Sequence, residues 1–182
     1  MDFELSPKAK DYVKRTKAFI KNHIEPMEAD FWADVSAKQN HGDWTKWEVP
    51  EVVQELKAKA KAEGLWNMFL PCDELGAGLS VLEYASVAEE TGRSLLAPTI
   101  FNCNAPDSGN MELLWRYGSD EQKETWLTQL LAGDIRSVFF MTEPEVASSD
   151  ATNMEATAIV EGDEVVLNGT KWWSSGVGDP HC

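Results

Sequence analysis

Apolar residues recur at helical spacing through roughly the first 130 positions and then change to alternation or short continuous runs, so the chain divides by period before any single residue is considered. Ser6-Pro7 is a helix start, with Pro at the first helical position, and Tyr12, Val13, Phe19, Ile20 and Ile24 give the apolar side of one long amphipathic helix up to Glu25-Pro26. The stretch from Met27 to Val49 mixes Trp32, Trp44 and Trp47 with Gly and polar residues and keeps no clean period, which predicts an irregular excursion. Pro50 opens the next helix, with Val53, Leu56 and Ala60 on one face and Gly64 as its stop. LWNMFLPCDELGAGLS, Leu65 to Ser80, reads as a turn between helices, because a phosphate cradle needs a preceding strand and a G-x-G-x-x-G pattern that this stretch lacks. Ser80 caps a helix over Val81 to Thr91, ended by Gly92. Two more helices are predicted over Asp107 to Arg116 and Asp120 to Ala132, with Gly118 at a C′ position and Ser119 and Gln122 forming a capping box.

From Ile135 the period is that of strands. SVFFMT is β-branched and aromatic, EATAIVEGDEVVLNGTKWWSS holds two alternating runs hinged at Glu161-Gly162-Asp163, and Asn168-Gly169 signals a tight turn. The predicted class is α+β: an all-helical domain over 1–133, then the start of an antiparallel, barrel-like β domain over 134–182.

Composition narrows the partners. With 182 residues, 43% hydrophobic, and eight Trp, the chain can bury a real core. A formal charge of -15 argues against nucleic acid or an anionic membrane surface, both of which select clustered Lys and Arg. Cys72, Cys103 and Cys182 are odd in number and scattered, without metal-site spacing, so no metal centre and a reducing, cytoplasmic setting are expected. The N-terminal MDFELSPKAK carries acids at Asp2 and Glu4 and no apolar signal region, and no uninterrupted run reaches membrane-spanning length.

Candidate chemistry gathers in FFMTEPEVASSD, Phe139 to Asp150, where an apolar strand turns abruptly polar. Thr142, Ser148 and Ser149 offer hydroxyls and Pro144 fixes the backbone, a set suited to a flat polar heterocycle, although on composition alone a connecting loop is the better reading. His23, His41 and His181 are isolated and suggest no nucleophile–base pair. Glu89 and Glu90 are adjacent on a helix and point roughly 100° apart, so at least one belongs to a solvated face.

GDIRSVFFMTEPEVASSDATNMEATA followed by LNGTKWWSSG resembles the acyl-CoA dehydrogenase family, in which a strand, T-E-P, a small-residue loop and S-D precede an N-G-x-K-x-W segment. PCDELGAGLSVLEYASVAEETGRS and YGSDEQKETWLTQLLAGD resemble that family's N-terminal helical domain, so the likeness covers nearly the whole chain. The common loop reads T-E-P-G-x-G-S-D. TEPEVASSD is one residue longer and lacks both glycines, which normally let backbone approach a pyrophosphate; V-A-S-S-D-A-T-N and W-W-S-S-G are instead similar to the branch of family members ten and eleven.

The resemblance implies FAD as cofactor. It sets Phe139 and Met141 along the flavin, Thr142 at the pyrimidine edge, Ser148 and Ser149 in the loop near the pyrophosphate, with Ser149 also near the acyl-CoA, and Trp173, Ser174 and Ser175 in the second flavin segment. There Trp173 packs on the ring and the Ser175 hydroxyl reaches N5; strand alternation lets only one of Trp172 and Trp173 face inward, and the match selects Trp173. It further implies alpha,beta-dehydrogenation of acyl-CoA thioesters in fatty-acid β-oxidation, an electron-transfer flavoprotein as acceptor, and a homo-oligomer. The family's base is a glutamate of the C-terminal helical domain, outside these 182 residues, so no catalytic residue is assigned, Glu89 and Glu90 do not replace it, and the 182 residues alone are expected to be inactive. A non-enzymatic assembly or acyl-ligand-binding module of the same descent is the competing reading.

Overall fold

The computed structural model describes residues 4–38, 42–43, 46, 48–179 and 181–182. Asp2, His41, Trp44 and Trp47 lie outside the described residues.

Helix α1 spans Pro7–Phe19, with the Ser6 hydroxyl accepting from the Ala9 N–H at its start. The helical path does not stop at Pro26. It passes through a π turn, Ile20–Ile24, and a 3-10 turn, Glu25–Met27, into α2, Glu28–Lys38. Pro26 sits in the first turn of the 3-10 segment, where no intrahelical N–H is required of it. The irregular excursion expected from Met27 is therefore corrected over its first part.

Helix α3, Glu51–Ala62, buries Val53, Leu56 and Ala60 on the face read from the sequence. Residues 65–80 form the expected irregular connection, but not a surface turn: Leu65, Met68, Leu70 and Leu79 are all buried. Ser80 caps α4, Val81–Thr91, through a full capping box in which the Glu83 carboxylate accepts from the Ser80 N–H. On α4, Glu90 is buried against Arg93 while Glu89 is exposed, so the adjacent pair does divide between two faces. After α5, Ala97–Ile100, and α6, Asp107–Tyr117, the chain reaches α7, Asp120–Gln122, whose Ser119–Gln122 capping box is present with both hydrogen bonds. A π turn, Lys123–Leu127, interrupts the expected single helix before α8, Thr128–Ala132. Gly118 is extended rather than left-handed; a Cβ there would sit 2.6 Å from the Leu114 carbonyl oxygen, so close approach selects the glycine.

Two cores result. The larger joins α1, α3, α4, α5 and the 65–79 segment through Phe19, Ile20, Ile24, Leu65, Met68 and Phe101, and the smaller sets Met111 of α6 against Leu127 and Leu130.

Past Gly133 the described residues form one antiparallel hairpin, β1 (Thr157–Glu161) with β2 (Glu164–Asn168). Glu161 pairs with Glu164, so the turn is Gly162-Asp163, with Gly162 left-handed at φ 65°, as a two-residue hairpin requires. Asn168-Gly169 ends β2 and closes no hairpin. SVFFMT is not a strand. Between it and the 172–176 segment only the Trp172 N–H donates, to the Thr142 carbonyl at 3.1 Å, and Phe139 and Phe140 are 59% and 51% exposed, not buried. A strand exists through its ladder partners, which a β-rich composition does not supply.

Asp107, at the start of α6, ties the two halves together. Its buried carboxylate accepts from Arg136 Nε and, at 2.7 and 2.6 Å, from the Ser137 N–H and hydroxyl. No described helix is long and apolar enough to cross a membrane, and no group of described His, Cys, Asp and Glu could hold a metal.

Candidate functional site

A cleft of about 370 Å³ opens where the segment after Ser137 runs beside residues 172–176, with Ala105-Pro106 closing one end. Phe139, Met141, Thr142, Trp173, Ser174 and Ser175 all line it. The sequence named each of these, and the structure gathers them from segments more than thirty positions apart.

The lining is apolar with hydroxyls at its edges. Trp173 is 78% exposed and sits in the left-handed region at φ 56°, an uncommon backbone for a bulky residue. That turn breaks the alternation assumed for Trp172 and Trp173: neither lies on a strand, both line the cleft, and their ring centroids are 5.6 Å apart. Core packing does not account for either ring. Among the described residues, the Thr142 and Ser175 hydroxyls have no hydrogen-bond partner in the protein, while Ser174 reaches the Trp172 carbonyl only at 3.4 Å.

Next in the chain to the lining residues Thr142 and Trp172 stands an ion pair that sequence reasoning missed. Glu143 is buried, and its carboxylate accepts from Lys171 Nζ at 2.7 Å, the Glu155 N–H at 2.8 Å and the Ala156 N–H at 3.0 Å. Lys171 also donates to the Met141 carbonyl at 3.1 Å. One charge pair thus fixes the 139–143 wall, the 171–175 wall and the approach to β1. The Lys171 hydrogen bond, then the Glu155 N–H, hold the Glu143 carboxyl below the usual carboxylate range. The acid of T-E-P and the lysine of N-G-x-K-x-W were its only signal in the sequence.

Ser148 and Ser149 do not line the cleft. The Ser148 hydroxyl is buried and accepts from the Glu143 N–H, and the Ser148 N–H bonds to the Val146 carbonyl at 2.8 Å, so this residue folds the loop back on itself. Ser149 is exposed at the loop's outer side, with neither its N–H nor its hydroxyl engaged among the described residues. Asp150 follows as a turn cap, accepting from the Thr152 hydroxyl at 2.7 Å and N–H at 3.0 Å, which keep its carboxyl below the usual range.

A helical domain joined through Asp107 to an aromatic and hydroxyl-lined cleft defines a recognisable class, and the chain belongs to the acyl-CoA dehydrogenase family: residues 6–134 match the acyl-CoA dehydrogenase N-terminal domain and residues 138–182 the middle domain. It is similar to acyl-CoA dehydrogenase family member 11 of Rattus norvegicus, 51% identical over 99% of this chain and 22% of that protein. A putative acyl-CoA dehydrogenase from Mycobacterium abscessus superposes with a TM-score of 0.90 at 58% identity, over 98% of this chain and 45% of that one. A glutaryl-CoA dehydrogenase from Mycobacterium smegmatis, in complex with FADH2, gives a TM-score of 0.61 at 26% identity over 93% of this chain and 39% of that one. The chain thus spans less than half the length of each of these relatives.

Proposed function

We propose that these residues form the flavin-facing part of a FAD-dependent acyl-CoA dehydrogenase. The observation that carries the reading is the cleft, where two large aromatic rings and unengaged hydroxyls meet between two segments joined by the Glu143–Lys171 pair. A planar heterocycle with a polar edge fits that chemistry. Trp173 would cover a face of the ring, Met141 and Phe139 would line its side, Thr142 would hydrogen-bond the pyrimidine edge, and Ser174 and Ser175 would lie toward N5. The FADH2 complex of the mycobacterial glutaryl-CoA dehydrogenase supports FAD as the group. When bound, FAD accepts the hydride that leaves the beta carbon of an acyl thioester.

Ser149 fits contact with the pyrophosphate or the acyl-CoA through its free N–H and hydroxyl, and Ser148 acts on this reading by shaping the loop rather than by touching the cofactor. No acid lines the cleft among the described residues, so the group that removes the alpha proton is supplied from outside this set, and the 182 residues alone do not dehydrogenate acyl-CoA. We place the division between the domains at 133/134, and propose an electron-transfer flavoprotein as acceptor, a homo-oligomer as working form and the cytoplasm as location, the last supported by three unpaired cysteines.

The test is anaerobic. Saturated acyl-CoA added to the FAD-loaded, full-length protein is expected to bleach the flavin's visible absorbance and to leave the 182-residue polypeptide without turnover. A full-length protein that holds FAD and is not bleached by any saturated acyl-CoA would favour the non-enzymatic module.

A further inference from the structure

Lys57 lies on α3, away from the flavin-facing cleft. The residue is only 8% exposed, yet among the described residues its ammonium has neither an ion pair nor a hydrogen bond. Among the described residues no side-chain nitrogen is both sealed from solvent and unpartnered, so the buried part of Lys57 is its stem and the ammonium reaches open space. Lys57 lines a chamber of about 590 Å³, where Gln54 and Thr99 present side-chain polar groups that are likewise unengaged among the described residues.

The neighbouring cations are committed elsewhere. Arg136 is held by Asp107 and, at 3.5 Å, by Asp179, and Lys61 donates to the Ala132 carbonyl and lies 4.3 Å from the centre of the Trp66 ring. The Lys57 pKa is lowered, first by burial and then by Arg136 and Lys61, whose repulsion outweighs the pull of Asp179 and Asp107. An anion beside Lys57 would relieve that repulsion and supply the missing acceptor.

The chamber adjoins a second cleft of about 500 Å³ whose wall is largely apolar, with Phe31 and Trp32 from α2, Pro50, and Leu95 and Leu96 before α5, and with Glu48, Arg136, Ser175 and Asp179 as its polar part. Val49, Val53 and Thr99 border both. Each volume falls in the range of small-molecule sites, roughly 300–1,000 Å³. Trp32 and Leu95 are 45% and 83% exposed, so apolar surface is available along the path.

We propose that the two clefts together form a binding site for an aliphatic monocarboxylate, its head group on Lys57 and Thr99 and its chain along Trp32 and Leu95. One negative charge suffices. A polyphosphate head would meet Glu48, Asp134 and Asp179 in the same chamber with a single uncommitted lysine to offset them, so acyl-CoA does not enter head-first. The apolar cleft meets the flavin-facing cleft at Ser175 and Gly176, which line both, whereas the chamber holding Lys57 shares no lining residue with it, and the proposal does not rest on the FAD reading.

Decanoate titrated calorimetrically into the full-length protein tests this. Binding is expected, weakened at least about tenfold by Lys57→Met, as loss of a charged hydrogen bond implies, and largely retained by Lys57→Arg. Decan-1-ol, with the same tail and no charge, should bind at least about tenfold more weakly. Trp173→Ala should leave decanoate affinity unchanged, and circular dichroism should show all variants folded. The proposal is overturned if the unmodified protein binds no decanoate, if folded Lys57→Met binds it as tightly, if decan-1-ol binds as well as decanoate, or if Trp173→Ala rather than Lys57→Met removes binding, which would put the carboxylate in the flavin-facing cleft.

Discussion

Glu143 concentrates the local physics of the candidate site into one side chain. Its carboxylate holds three donors on two segments, and those donors keep it ionised to lower pH than an ordinary glutamate. A folded-state pKa below the unfolded value, about 4.3, means that the stabilisation is present above that pH and fades as pH falls through the folded value. Asp150 acts in the same direction. Thermal stability should therefore decline on acidification below about pH 5, and Glu143→Gln should lower Tm at neutral pH while flattening the acid limb; a limb unchanged in the variant would remove Glu143 as a cause. At this scale the lining residues were legible through the resemblance rather than through residue type, since the hydroxyls that type alone singled out include Ser148 and Ser149, which do not line the cleft. The sequence did not carry the ion pair, since Glu143 and Lys171 are partners only once the chain between them has folded back. Nor did it carry the left-handed Trp173, on which the inward or outward choice between the two tryptophans depended.

Helices with a buried face were legible and those without one were not. Helix α3 shows its period because Val53, Leu56 and Ala60 are held to one side by the core, whereas α2 buries no residue and so had no pattern to display. Caps were readable because they are local chemistry: Ser80 and Ser119 each bond within three residues. Replacing Ser80 with Ala should cost about 0.5–2 kcal/mol, measured by urea unfolding; a cost near zero would mean that packing alone fixes the start of α4. The π turns at Ile20–Ile24 and Lys123–Leu127 left no trace in residue type. SVFFMT misled for a different reason, because β-propensity reports a side chain's fit to a half-buried sheet and says nothing of whether a neighbouring strand is there.

For the whole molecule, the helical half is closed around its cores while the half after Gly133 stays open. The hairpin exposes Ile159, Val160, Val165 and Leu167, and its two strands have no other partners among the described residues. Exposed apolar edges recruit other chains, so the 182-residue polypeptide should associate as concentration rises despite its strong negative charge, and light scattering showing a clean monomer would count against that. The openness also sets the most direct test of the central claim, that the cleft beside Trp173 receives a flavin. FAD affinity should be measured by quenching of flavin fluorescence in the full-length protein and in three variants checked for folding by circular dichroism. Trp173→Ala removes the ring with most surface left to bury, worth about 1.5–3 kcal/mol, or at least about tenfold in Kd. Trp172→Ala removes the second ring of the same cleft, already half covered, and should cost less than Trp173→Ala, while Thr142→Val removes one hydroxyl, about 0.5–1.5 kcal/mol, and should matter least. Loss of affinity in that order is the predicted result; three folded variants that bind FAD as tightly as the unmodified protein would contradict the account and return TEPEVASSD to a connecting loop.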